Sequence, residues 1–342
     1  MAHAFDMRQR GGFSHTVAKI RGIAGNTFRE SIRQPVVLII LTAAAAMIIL
    51  SPYTTFFTLA QGHLVVREMG LATMLVAGLL IAAFAASSVV SREIEEHTVL
   101  TVLAKPVGRV EFVVGKYLGV LATLLLVGYV LTVVLTLTAS VGGFEAGAMQ
   151  EVRLSVVIPL LSAIGVSFIV AAILNFKKAR PFASTAVLVS ALAFTAAALL
   201  VAFMDYVLPA KGAQIKELQL TIDPSVIMSS ILIMMAICVI GSVAVAISTR
   251  LNVIMTVVFC AVVFLLGLLS DFLFLPHAGT HTIAWLAYAV VPNFQEFWMG
   301  EALTQGMLIT LGYVLKAGAY AGFYAAGVLF LGMLLFEDRQ VS

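Results

Sequence analysis

The chain contains eight predominantly apolar runs, and these runs constrain its fold more than any other feature. A helix rises about 1.5 Å per residue, so about 20 apolar residues cross a hydrocarbon core of about 30 Å. Among the runs, only Asp271, near one end, introduces a charge. The runs do not alternate apolar and polar residues as barrel strands would. They predict membrane-spanning helices over residues 36–57, 71–91, 117–139, 154–174, 182–204, 226–247, 253–274 and 317–336.

The overall composition agrees with a membrane protein. Of the 342 residues, 61% are apolar and 11% are charged, whereas about a quarter of the residues in soluble domains are charged. We therefore expect an all-α, polytopic membrane helical bundle. It has three parts: residues 1–35, a transmembrane domain over 36–336, and a tail over 337–342.

The distribution of Lys and Arg predicts the orientation of the bundle. Fifteen of the 20 basic residues lie in the segments on the same side as both ends of the chain. Cytoplasmic loops carry the excess of Lys and Arg. Both termini are therefore expected in the cytoplasm, and an even number of spans agrees with this expectation.

Residues Thr16–Arg33, ahead of the first span, predict a short amphipathic helix. Its apolar positions recur at helical spacing, while Lys19 and Arg29 lie among the polar ones. Such a helix lies in the membrane interface with its bases toward lipid headgroups. The alternative is an ordinary positively charged flank. The apolar positions are Val17, Ile20, Ala24, Phe28 and Ile32.

A second interfacial helix is predicted on the outer side, over Pro292–Gln305, a segment too short to span the membrane. Asn293 can cap this helix, with Glu296 at the third helical position. Aromatic side chains anchor helices at membrane interfaces. The aromatic residues expected on its apolar side are Phe294, Phe297 and Trp298.

The segment Ser91–Lys116 is a polar island between two apolar runs. Ser91 can cap a helix there, and carboxylates in a first turn are favoured by the helix dipole. Pro106 and Gly108 are expected to end that helix. The alternative is a solvated loop that follows the positive-inside rule, but that rule gives no advantage to acidic residues. The acidic residues of the first turn are Glu93, Glu95 and Glu96.

This island resembles the cytoplasmic loop of ABC-2 type transporter permeases, such as bacterial copper-maturation and multidrug export permeases. The residues that carry the resemblance are Thr98, Leu103, Pro106, Arg109, Gly115 and Lys116. The Pro292 to Phe297 segment and the ending Phe336-Glu337-Asp338-Arg339 are also similar to that family. Six spans are usual in the family, so residues 154–204 look like an added hairpin.

The resemblance implies the permease subunit of an ATP-driven exporter in the bacterial plasma membrane. The island, residues 92–116, would be a coupling helix that docks on a separate cytoplasmic ATPase. A second permease copy or a paralogue would complete a dimer. The chain contains no Walker A sequence, so ATP and magnesium are expected on the partner ATPase. We expect no cofactor, metal site, catalytic residue or nucleic-acid partner for this chain.

Three other classes remain open at this stage. A secondary transporter driven by an ion gradient usually has charged or broken helices at the midplane, and these runs show almost no charge. An intramembrane enzyme would need catalytic residues, and the sequence lacks them. A structural scaffold would not need an acidic, apolar-centred cytoplasmic helix. His277 and His281 are four residues apart but have no third ligand nearby in the sequence.

Overall fold

The structure is a computed structural model of the chain. It describes residues 2–54, 62–95, 108–141, 144–145, 148–149, 153–207, 224–277, 281–300 and 309–337. Within these ranges the protein is almost entirely helical. The long helices are α1 (Ala2–Arg33), α2 (Pro35–Thr54), α3 (Gly62–Glu95), α4 (Arg109–Ala139), α5 (Leu154–Lys178), α6 (Phe182–Val207), α7 (Pro224–Ser248), α8 (Val253–Leu268) and α11 (Leu311–Glu337).

Shorter elements complete the fold. Between α8 and α11 lie α9 (Ser270–Leu273), a 3₁₀ turn (Leu275–His277), α10 (Thr282–Val290) and a second 3₁₀ turn (Gln295–Phe297). Two short antiparallel strands, β1 (Phe144–Glu145) and β2 (Ala148–Met149), lie between α4 and α5.

Helix α7 forms the centre of the bundle. It packs on α3, α4 and α11, while α3 also packs on α2 and α4. Helices α5 and α6 form a hairpin that joins this core mainly through contacts of α6 with α4. Large apolar side chains such as Phe176, Ile254 and Phe323 remain exposed on the outside of the bundle, where a membrane would cover them.

Seven of the described helices are long and apolar enough to cross a membrane. They confirm seven of the predicted apolar spans as helices, several of them extending beyond the predicted limits. We refer to the end of the bundle where α1, α3, α5 and α7 end and α4, α6 and α8 begin as the basic end. Three helices end or begin there with a basic residue: Arg33, Lys178 and Arg109.

The predicted span over 253–274 is not one straight helix. It is bent by 60° between α8 and α9, and Leu269 at the bend lies outside helical geometry. The carbonyl of Gly267 accepts a hydrogen bond from the Phe294 N–H at 3.2 Å. The carbonyl of Leu268 accepts one from the Gln295 side-chain amide at 2.6 Å. These long-range bonds satisfy backbone groups at the break.

Candidate functional site

The polar island, Ser91–Lys116, runs from the last turns of α3 to the first turns of α4, at the basic end. Helix α3 continues without interruption from the apolar span through Ser91 to Glu95. The prediction that Ser91 caps a new helix is therefore wrong, because the span itself extends past it. Glu93 and Glu95 lie in the last turns of α3, and Arg109 is the first residue of α4.

Part of the island lies outside the residues that the structure describes, namely residues 96–107. The predictions for Glu96, Thr98, Leu103 and Pro106 fall in this part. What the structure does describe is how the two flanks of the island are held.

The first turn of α4 is capped and tied to α1. The Glu111 carboxylate accepts a hydrogen bond from the Gly108 backbone N–H at 2.8 Å. This bond satisfies one of the amides that a helix start leaves unpaired. The same Oε2 atom lies 3.5 Å from the Lys19 Nζ of α1. An ion pair therefore joins α1 to the first turn of α4.

Two glycines let α1 lie directly against α4. A Cβ atom added at Gly115 would lie 2.8 Å from the Cβ of Ile23, and one at Gly119 would lie 2.6 Å from the Ala24 carbonyl oxygen. Any larger residue at either position would force the helices apart. On the α1 side of the contact, Thr27 is completely buried. The predicted amphipathic segment is thus helical, but one face packs against protein.

The other flank of the island is tied to the same helix. Gln34, directly after α1, donates a hydrogen bond from its side-chain amide to the Ser88 hydroxyl of α3. Ser88 lies two turns before the end of α3 at Glu95. We call Lys19, Ile23, Thr27 and Gln34 the α1 clamp, because they hold α3 and α4 on both sides of the island.

Lys116 occupies a different environment from the one predicted. It is only 2% exposed, and its Nζ lies 5.5 Å from the centre of the Phe112 ring. Its neighbours therefore enclose this side chain within the bundle. Its assignment to a docking surface stays a prediction.

At the opposite end of the bundle, the interfacial helix predicted over Pro292–Gln305 does not begin at Asn293. Gln295–Phe297 form a 3₁₀ turn, Trp298 has extended backbone geometry, and helical structure appears at Gly300. The Asn293 side chain accepts a hydrogen bond from the Gln295 N–H at 3.0 Å, which makes a local turn. Residues 301–308 lie outside the described part of the chain.

Two of the predicted aromatic anchors are buried in the protein. Phe294 and Phe297 are 2% and 1% exposed, and Phe294 packs on Phe264 with ring centres 5.6 Å apart. A Cβ atom added at Gly267 would collide with the Phe294 ring. Trp298 is half-buried. Phe294 therefore packs against the bend between α8 and α9, and Phe297 lies inside the protein.

Polar side chains surround this aromatic pair. The Asp271 carboxylate accepts hydrogen bonds from the Tyr288 hydroxyl at 3.1 Å and the Asn293 amide at 2.8 Å. The Asn293 backbone N–H donates to the Tyr320 hydroxyl at 2.9 Å. Burial and the hydrogen bond with Asp271 raise the pKa of Tyr288 above its ordinary value. We call these four residues, with Phe294 and Phe297, the Asp271 cluster.

The structure also describes the two histidines, the two cysteines and the acidic residue Asp205. The His277 and His281 rings lie 6.3 Å apart, and among the described residues no group of three metal-binding side chains occurs. Cys238 and Cys260 are free thiols. Asp205 forms an ion pair with Arg153 at 2.5 Å, which joins the outer ends of α5 and α6.

Comparison of the chain with protein-family models, curated proteins and solved structures found no match. The functional argument therefore rests on the residues themselves.

Sequence reasoning missed two groups of residues that hold the island. Glu111 occupies the third helical position after Gly108, which is the acidic position of a capping box. Gly115 and Gly119 are spaced as in the small-residue pattern that permits close helix contact in membranes. Both signals are visible in the sequence. The bond between Gln34 and Ser88 has no local signal, since 54 residues separate its partners.

Proposed function

We propose that this chain is the membrane-spanning permease subunit of an ABC-2 type transporter. It would move its substrate across the bacterial plasma membrane with ATP hydrolysed by a separate ATPase subunit. Its basic end would face the cytoplasm, and a second permease copy or paralogue would complete the transporter.

The observation that carries this proposal is the attachment of both flanks of the island to one helix. The island combines acidic and apolar residues with the permease-like positions from Thr98 to Lys116. Its preceding helix is bonded to Gln34, and its following helix is bonded to Lys19 and packed on Ile23. A simple connecting loop has no need of this bracing, whereas a segment that receives force does.

The arrangement supports a mechanical role for the island. Interdigitated helices move as rigid elements, and domain closure moves them by hinge or shear. When two ATPase domains close on ATP, a docked island would be displaced with α3 and α4. Both helices pack on the central helix α7, so the displacement would pass to the core of the bundle.

The acidic flank gives a direct test. We expect Glu95→Lys combined with Glu96→Lys to detach or uncouple the ATPase, because basic groups on the partner would then be repelled. The measurement is the amount of ATPase that copurifies with the tagged chain in mild detergent, together with ATP hydrolysis by the purified material. A charge reversal on the opposite side of the bundle, Glu68→Lys, is the matched control. Unchanged copurification and ATP hydrolysis in the double variant would refute the docking role.

Arg109 provides a second test of the same segment. Its replacement by Glu inverts the charge at the first position of α4, so insertion or docking should be impaired. Normal membrane levels together with normal ATPase stimulation would contradict that role.

One observation favours a second candidate, a transporter driven by an ion gradient. Lys116 is a buried ionisable residue within the apolar helix over Val110–Ala139. Ionisable residues inside spans commonly mark ion pathways. Transport that stops with a protonophore but continues without ATP would select this candidate. Transport that stops with vanadate, an inhibitor of ABC ATPases, and survives the protonophore would select the permease.

A further inference from the structure

A groove lies between α2 and α5, with α4 and α6 as its floor. It has a volume of about 120 Å³. The hairpin of α5 and α6 supplies one wall. The groove is therefore built in part by the two spans that are additional to the six usual in ABC-2 permeases.

The groove opens sideways onto the surface of the bundle. At its rim, Ala46 of α2 and Phe168 of α5 are exposed. At its floor, Val130, Ser190 and Phe194 are buried. Helix α2 packs on α6, and the groove opens between the rims that α2 and α5 supply. In a membrane, this opening faces lipid.

The lining of the groove suits an apolar ligand. It contains no charged residue. Its hydroxyl groups are those of Thr42, Ser167 and Ser190, and each donates to a carbonyl of its own helix, at 2.9, 2.6 and 2.8 Å. No hydroxyl donor is left for water or a polar ligand. Apolar cavities of about 150 Å³ stay dry and take up apolar molecules.

The length and position of the groove match one lipid chain. Along α2 it extends from Leu38 to Ile49, a rise of roughly 16 Å at about 1.5 Å per residue. This is about half of a hydrocarbon core of about 30 Å, the depth of one leaflet. Leu38 lies three residues from the start of α2 at Pro35, so the groove occupies the half of the bundle next to the basic end.

Basic side chains stand at the end of the groove where a headgroup would lie. Lys177 and Lys178 form the last turn of α5, and Arg180 follows in the turn before α6. All three are exposed. Basic residues at a membrane surface attract anionic headgroups, at about 1 kcal/mol each.

We propose that the groove binds part of one acyl chain of an anionic phospholipid, whose phosphate lies beside Lys177, Lys178 and Arg180. The lipid enters sideways between α2 and α5 from the leaflet at the basic end. This site does not depend on the ABC assignment, because its occupancy requires neither ATP nor a partner protein.

Native mass spectrometry of the full chain tests the site. The protein is purified in detergent, supplied with phosphatidylglycerol, and washed until surrounding lipid is removed. We expect one phosphatidylglycerol to remain bound. Ala46→Phe should lower that bound fraction at least tenfold, because the ring fills the opening. Ala43→Phe, on an exposed part of α2 outside the groove, should leave it unchanged. Equal retention in the two variants would overturn the proposal, as would a detergent molecule or a lipid-linked cargo in place of the phospholipid.

A second measurement uses the wild-type chain and does not depend on the folding of a variant. Phosphatidylglycerol with a photoreactive group on its acyl chain is incorporated in vesicles with the protein. Labelling should concentrate on Ala46 and Phe168 and exceed that of lipid-facing Ile254. Replacement of Lys177 and Lys178 by Gln should reduce the preference for phosphatidylglycerol over phosphatidylethanolamine. Uniform labelling of all exposed apolar side chains would contradict the assignment, as would an unchanged preference for phosphatidylglycerol.

Discussion

The α1 clamp and the Asp271 cluster hold two regions at opposite ends of the bundle by different means. The clamp depends on glycines, small side chains and two polar links, one of which is partly exposed. The cluster depends on two buried aromatic rings and several hydrogen bonds. We therefore expect the Asp271 cluster to hold its end of the bundle more strongly than the α1 clamp holds the basic end.

The largest expected effect is at the Asp271 cluster. Phe294→Ala should lower the free energy of unfolding by about 3–5 kcal/mol, because a buried aromatic ring is replaced by a cavity. Denaturant titration of the detergent-solubilised protein measures the change. Phe323→Ala, which removes a ring that is 81% exposed, should have little effect. Equal losses in the two variants would mean that the cluster does not hold this end.

A smaller loss is expected at the clamp from Gly119→Leu. The added side chain meets the Ala24 carbonyl and Thr27, and overpacking of this kind costs about 1–3 kcal/mol. Limited proteolysis should also cut α1 faster, since its contact with α4 is lost. Gly322→Leu is the control, because a Cβ atom there meets nothing within 4 Å. Normal protection of α1 in Gly119→Leu would contradict the clamp.

The polar part of the cluster should contribute less than its rings. Asp271→Ala leaves Tyr288 and Asn293 without their carboxylate acceptor, at a cost of about 1–2 kcal/mol in unfolding free energy. Asp271→Asn retains an acceptor oxygen and should lose clearly less unfolding free energy. The two variants are compared by thermal unfolding in the same detergent. If Asp271→Asn loses as much unfolding free energy as Asp271→Ala, the negative charge matters rather than the hydrogen bonds.

The smallest effect is expected from the ion pair of the clamp. Lys19→Ala should cost at most about 1 kcal/mol, because partly exposed pairs are weak. Glu111→Ala should cost more, since it also removes the bond to the Gly108 N–H. A double-mutant cycle over the two positions separates the pair from the cap. Equal effects of the two single substitutions would indicate that the cap contributes nothing.

Apolar periodicity and run length predicted the helical class and most of the spans, because each depends on neighbouring residues. The bend at Leu269 was not predictable from its own apolar run. The carbonyls of Gly267 and Leu268 bond to Phe294 and Gln295, about 27 residues later. The aromatic residues after Pro292 suggested an interfacial helix. Their burial could not be predicted locally, because it depends on space left by Gly267. The small-residue pair in α4 could have been found, since Gly115 and Gly119 stand four residues apart.

Cross-linking in native membranes tests the central claim most directly. Lys105 belongs to the island, whereas Lys177 and Lys178 lie in another turn at the same end of the bundle. With a lysine-reactive cross-linker and a non-hydrolysable ATP analogue, the account predicts that Lys105 joins this chain to an ATPase that carries a Walker A sequence. Lys177 and Lys178 should do so far less. If Lys105 forms no cross-link to an ATP-binding protein in membranes where the chain transports its substrate, the permease assignment is contradicted.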